Sequence, residues 1–185
     1  MRARYPVGIS KITVRRRPGA AHLGLLRAGA LALPVAIGRA GTGFDKREGD
    51  GRTPAGTWRI RRLLYRPDHG QRPVTRLPAA PLRKGDGWCD EPSDRRYNRA
   101  VRLPLGGTRP VSHERMWRDD DVYDLVLVLD HNTRPRVAGR GSAVFVHLAR
   151  PGFAPTAGCV ALRRADLVRL LARLRPGARL VVEHG

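Results

Sequence analysis

The sequence predicts a mainly β chain with one or two α-helices, and three observations carry the prediction. Short apolar runs bounded by Gly, Pro and charged residues recur from end to end, around Ile9–Val14, Leu23–Ile37, Trp58–Tyr65, Leu125–Leu129, Val144–Leu148 and Leu180–Val182. One stretch, Leu167, Leu170, Leu171 and Leu174, sets apolar residues at helical spacing. Finally, 185 residues that are 41% hydrophobic and 28% charged suffice for one buried core. A single domain over 1–185 is expected, with its body at about 10–183.

In chain order, a basic start punctuated by Pro and Gly leads into a first strand at Ile9, Ile12 and Val14. The run Leu23 to Ile37 imitates the apolar part of a secretion signal, but Arg27 and Pro34 interrupt it and it begins late. It fits better as two strands hinged at Arg27-Ala28-Gly29, and it is too short and broken to span a bilayer. Gly38 to Gly56 reads as a charged, Gly-rich loop ending in a tight turn at Thr53-Pro54-Ala55-Gly56, followed by a strand through Trp58, Ile60 and Leu63-Leu64-Tyr65.

Residues 66–112 hold many Pro and Gly without a sustained period, so 66–122 is expected to form a long excursion over the face that carries the candidate site. Asp119-Asp120-Asp121 reads as a helix or turn cap, because it lacks the alternating ligands and closing Glu of a calcium loop. Asp124 to Asp130 frames a wholly apolar strand, the pattern of a strand buried on both faces. A helix then follows through Leu167 to Leu174, with Asp166 at its positive end and Pro176-Gly177 as its stop, and Leu180-Val181-Val182 closes as a strand.

The formal charge of +20 predicts attraction to polyanions. Nucleic acid is not the expected partner: aromatics are 5%, no paired CxxC or recognition helix is legible, and the arginines are scattered rather than gathered in a tail. An anionic cell-wall polymer or membrane face accounts equally well for the charge.

The chemistry concentrates in Val144 to Leu162. An apolar β-run delivers His147, a loop set by Pro151, Gly152 and Pro155 follows, and Cys159 stands between Gly158 and Val160. The thiolate is the reactive form of cysteine, and a free thiol with a pKa of about 8.5 holds little of it at neutral pH, so a neighbouring imidazole is the usual activator. Gly158 permits close approach of a substrate, and the amides of Gly158 and Cys159 can face a developing oxyanion. By itself the pair is also compatible with a buried structural cysteine and an ordinary strand histidine.

These residues resemble a known family. Thr156-Ala157-Gly158-Cys159-Val160, preceded by His147, is similar to the signature of the L,D-transpeptidase (YkuD-type) catalytic domain. The block from Gly41 to Trp58, with Thr53-Pro54-Ala55-Gly56, and the stretch Gly141 to His147 resemble the same family. Asp86 to Pro92 with Tyr97-Asn98-Arg99 is similar to a short, proteobacterial-like subset of it. Two positions depart from the common pattern: Ala157 stands where many members carry His, and Ala161 where many carry Arg.

The resemblance implies a β-rich sandwich or small barrel and a peptidoglycan peptide stem as substrate; no cofactor is expected, and no metal, because Cys89 has no partner at a zinc-like spacing. It implies Cys159 as nucleophile, His147 as base and Gly158 as part of the oxyanion site, with Ser142 and Thr156 orienting the His and the loop. Trp88 reads either as a wall for sugar or peptide or as a plug of the domain surface. Asp90 or Glu91 suits a substrate ammonium, and His131 is expected near the sulfur. If Cys159 lies just before the C-terminal helix, the helix dipole would favour its thiolate.

The periplasm or cell envelope is the implied compartment, although no clear export signal is legible. A disulfide between Cys89 and Cys159 would block the nucleophile, so both are expected as free thiols, and a monomer is expected. Two alternatives stay open: an L,D-carboxypeptidase or endopeptidase using the same pair, and a non-catalytic basic module that binds wall polymer or nucleic acid.

Overall fold

The fold is that of a computed structural model, which describes residues 8–106 and 110–185. The basic start at residues 1–7 and residues 107–109 of the excursion lie outside the described residues. Fourteen strands and one α-helix follow in order: β1 (Ile9–Arg16), β2 (Leu23–Ala28), β3 (Leu31–Ala36), β4 (Thr42–Gly43), β5 (Thr53–Pro54), β6 (Gly56–Tyr65), β7 (Ala79–Pro81), β8 (Asp86–Cys89), β9 (Arg99–Arg102), β10 (His113–Arg115), β11 (Leu125–Leu129), β12 (Phe145–Leu148), β13 (Val160–Leu162), α1 (Arg164–Leu171) and β14 (Leu174–Val182). The large sheet runs β11-β12-β13-β3-β2-β1-β14-β6, and β6 pairs again with β11, so eight strands close into a barrel with β7 added beside β6.

Side chains of one parity fill the barrel. Ile12, Leu26, Val35, Leu127, Val146 and Leu180 belong to one buried apolar cluster, into which α1 sets Leu167, Leu170 and Leu171. The strand Leu125–Leu129 is buried at every position because a three-stranded sheet, β10-β8-β9, covers the outside of the wall. Leu125, Leu127 and Leu129 face the barrel core, while Val126 and Val128 join Phe145, Trp88, Met116 and Tyr123 in a second cluster beneath that cover. The excursion therefore has structure of its own, where the sequence suggested an unstructured span. Its strands are three or four residues long, too short to show alternation.

Three local expectations are corrected. The turn between β2 and β3 is Gly29-Ala30, with Ala28 paired to Leu31, because Gly29 supplies the positive φ (59°) that a two-residue hairpin needs. Thr53 to Gly56 is extended rather than turned, and it runs beside residues 41–43 through Thr53 N–H to Gly41 and Ala55 N–H to Gly43 carbonyls. The helix ends at Leu171, and Leu174 opens β14, which also contains Pro176-Gly177. That strand tolerates Pro because the ladder with β1 jumps from Ile9↔Leu174 to Lys11↔Arg179, leaving Arg175 to Ala178 bulged opposite Ser10.

A buried asparagine ties the cover to the barrel. Asn98, at φ 53°, accepts the Trp88 indole N–H (2.9 Å) and the Ala143 N–H (3.3 Å), and donates to the carbonyls of His131 (3.0 Å) and Asn132 (2.8 Å). Asn98→Ala leaves these groups without partners at about 1–3 kcal/mol for each one that water cannot reach. A fall in the thermal midpoint of several degrees is expected, and an unchanged midpoint would show that Asn98 is not the tie.

Candidate active site

β12 and β13 run parallel, with Val146↔Val160 and His147↔Ala161 in register. Directly paired residues point to the same face, so Phe145, His147, Cys159 and Ala161 share the outer face of the wall, while Val146, Leu148, Val160 and Leu162 face the core. That parity places imidazole and thiol on one surface. Both line a cavity of about 320 Å³ beneath the edge of the cover.

The loop between the strands is fixed by two threonines. Thr156 Oγ accepts the Gly158 N–H (3.1 Å) and donates to the Cys159 carbonyl (2.7 Å). Thr53 Oγ lies 3.3 Å from the same carbonyl as donor and accepts the Gly38 N–H at 2.8 Å. Two of the sequence blocks that carry the family resemblance thus meet at one peptide group. Gly158 sits at φ 148°, and a Cβ there would come within 2.8 Å of the Arg52 carbonyl, so the loop has no room for a side chain. Thr156→Val removes both bonds, and acylation of Cys159 is expected to slow about ten- to a hundred-fold, the equivalent of one or two hydrogen bonds. A stopped assay comparing the variant with wild type checks this, and Thr156→Ser is expected to restore the rate.

The Gly158 amide is thereby committed to Thr156, which corrects its expected place in an oxyanion site. Cys159 is 8% exposed, with Sγ accepting the Phe145 N–H and donating to the Ala143 carbonyl, both at 3.3 Å. Burial pushes its thiol up to about 12, opposed by the Phe145 N–H, and the nearby Glu114 carboxylate adds to the rise. The helix gives no compensation. β13 and Arg163 intervene between Cys159 and α1, so the sulfur lies at the far end of a strand from the helix N-terminus, contrary to expectation.

His147 is 6% exposed and packs edge-on against Tyr123, with ring centroids 5.3 Å apart. Burial, aided by the cations of Arg150 and Arg118, lowers its pKa to about 4. Its Nδ1 lies 2.9 Å from the Leu148 carbonyl. A carbonyl only accepts, so Nδ1 bears the proton and Nε2 carries the lone pair. The resting pair is a neutral thiol and a neutral imidazole in one cavity, and no hydrogen bond joins them among the described residues.

The other expected residues divide. Ser142 lines the cavity, but its hydroxyl donates to Glu48 (2.8 Å), which also receives Tyr97, and not to His147. Asp90 lines the cavity with Oδ1 buried and unpartnered, whereas Glu91 stays outside, bonded to Ser93. Trp88 stands outside the cavity and is the plug of the two readings, because its ring packs edge-on at 5.1 Å against Phe145 beneath the cover. His131 does not line the cavity. It continues the inward phase of Leu127 and Leu129, packs edge-on against Trp58 at 4.7 Å and bonds the Arg140 carbonyl through Nε2 at 3.0 Å. Cys89 and Cys159 are both free thiols.

Several lining residues escaped the sequence reading. Lys46 is 5% exposed, and its ammonium bonds Asp50 and the Arg47 carbonyl (2.9 Å). A Cβ on Gly158 would lie 3.4 Å from Lys46 Nζ, so a cation stands beside the Gly158-Cys159 turn. Glu114, Arg118, Tyr123 and Arg150 complete the opposite wall. Their only sequence signal is position within the excursion and the Gly-rich loop, which does not distinguish them from solvated surface charges.

No helix among the described residues is long and apolar enough to cross a membrane. Neither a curated protein nor a solved structure matches the chain. Residues 20–182 match the family model of YkuD, described as the L,D-transpeptidase catalytic domain. With that match covering nearly the whole chain, and a β-rich closed barrel presenting the motif Cys and His on one surface, the protein belongs to the L,D-transpeptidase catalytic-domain family.

Proposed function

We propose that the protein is a cysteine-dependent L,D-transpeptidase of the cell envelope, cross-linking peptidoglycan stems through a thioester on Cys159. The observation that supports this most is the pairing, in one cavity, of the Cys159 thiol with a His147 imidazole whose tautomer leaves Nε2 free to accept a proton. When a stem enters, the thiol turns from the Ala143 carbonyl toward Nε2. Nε2 takes the S–H proton as sulfur bonds the carbonyl carbon that follows the L-centre of the diamino acid. The C–N bond to the terminal D-residue then breaks, and the imidazolium returns its proton to the leaving amine. An acceptor amine from a second stem next gives its proton to Nε2 and attacks the thioester. The C–S bond breaks, and sulfur recovers the proton.

The tetrahedral oxyanion is met by the Cys159 amide, since Thr156 holds that of Gly158, with the Lys46 ammonium adding positive potential nearby. The unpartnered Oδ1 of Asp90 suits an ammonium group of the stem. Intact-mass spectrometry after incubation with a tetrapeptide-stem muropeptide or a carbapenem tests the acyl-enzyme step. An adduct absent from wild type would reject it. Chromatography of digested sacculi separates the acceptors: new cross-links mean transfer to an amine, whereas trimmed stems or lost cross-links mean transfer to water.

A further inference from the structure

A second concave site, which shares no lining residue with the cavity of Cys159, is built from arginines. Arg61 and Arg62 of β6, Arg99 of β9, and Arg134 and Arg136 of the segment after β11 line a groove of about 420 Å³ that contains no carboxylate. None of these five side chains forms an ion pair among the described residues, although the chain's other arginines repeatedly find Asp or Glu partners. Arg136 Nε is buried with no hydrogen-bond acceptor. Burial and the charge of Arg99 both lower the pKa of Arg136, as like charges held together without a counter-ion require.

The backbone is shaped to gather this charge. In the β6–β11 ladder Val128 faces Arg62 and Leu129 faces Ile60, so Arg61 is the extra residue of a bulge. Regular alternation would turn one of two neighbouring side chains inward. The bulge keeps Ile60 and Leu63 in the core while Arg61 and Arg62 both reach the groove.

We propose that this groove binds successive phosphate groups of a base-free phosphate polymer, a chain of phosphodiester-linked polyol or saccharide units. Guanidinium forks match phosphate oxygens in bidentate fashion, and five of them exceed the charge of a single phosphate, which favours phosphates in series. Nucleic acid is disfavoured because the one aromatic residue of the groove, Trp88, is buried against Phe145 with its N–H on Asn98, leaving no ring face for bases to stack on.

Isothermal titration of the whole protein with a poly(glycerol phosphate) of about a dozen repeats tests this, alongside inorganic phosphate and single-stranded DNA of equal phosphate number. The polymer is expected to bind at least tenfold more tightly than inorganic phosphate, with affinity falling steeply as salt rises. Arg99→Gln/Arg136→Gln, and separately Arg61→Gln/Arg62→Gln on the exposed strand, are expected to weaken it tenfold or more. The charge-matched Lys11→Gln/Arg27→Gln on β1 and β2, across the barrel, is expected to change it less than twofold. Absence of polymer binding, equal losses in all three variants, or tighter binding of DNA would each overturn the proposal. Acylation of Cys159, measured in the same samples, is expected to be unchanged, so the groove is judged independently of the catalytic reading.

Discussion

Cys159→Ala is expected to abolish the covalent adduct with a muropeptide or carbapenem, leaving the intact mass of the variant unchanged where wild type gains one acyl group. No other thiol can substitute: Cys89, in strand β8 of the cover, is fully buried and lies outside the cavity. Alanine also leaves the Phe145 N–H without its sulfur acceptor, so a loss of fold has to be separated from a loss of chemistry. Cys159→Ser does this, because a hydroxyl still accepts from Phe145 and donates to Ala143 but is a far weaker nucleophile. A folded serine variant that acylates at the wild-type rate would refute the assignment of the nucleophile.

His147→Ala is expected to slow acylation about 10²–10⁴-fold, the usual worth of a positioned general base. The pH profile distinguishes a base from a structural residue. With its pKa near 4, His147 stays in the proton-accepting form through mildly acidic conditions, so the acylation rate is expected to hold from neutral pH to about 5 and to fall only as pH approaches 4. An exposed imidazole would fail near 6.5. The same burial has a stability consequence. A depressed folded-state value means stability is complete above the ordinary 6.5 and is lost as pH falls through about 4, by roughly 3 kcal/mol at most. Cys159 acts in the opposite direction: raised from 9.0 to about 12, it leaves stability complete below pH 9 and erodes it above. Urea midpoints at pH 5 and pH 7 are expected to differ less in His147→Gln than in wild type, and an equal difference would exclude His147 as the source.

The candidate site was legible in the sequence where chemistry and backbone geometry coincide. Strand β12 carries His147, a Thr-x-Gly-Cys bend follows it, and the Thr53 block meets the same peptide group. The apolar run Leu125–Leu129 announced burial on both faces, and the cover over its outer face is the reason. Other features left no mark. Leu174 falls in phase with the helix before it, so only tertiary pairing with Ile9 reveals that it starts a strand. Asn98 looks like any loop asparagine, yet its four hydrogen bonds depend on neighbours 10 to 45 residues away. His131 follows β11 after Asp130, and its ring is taken up by Trp58 and the Arg140 carbonyl, partners that lie far from it in the sequence or across a turn.

The order of strands carries one more consequence. β14 is wedged between β1 and β6, hydrogen-bonded to both, so the ring of strands lacks its keystone until Leu174–Val182 has been synthesised. Before then β1 and β6 present open edges, the kind of template on which chains stick to one another. Newborn polypeptide must be shielded at those two edges, and a molecule cut short before β14 is expected to aggregate rather than to linger as a smaller folded unit.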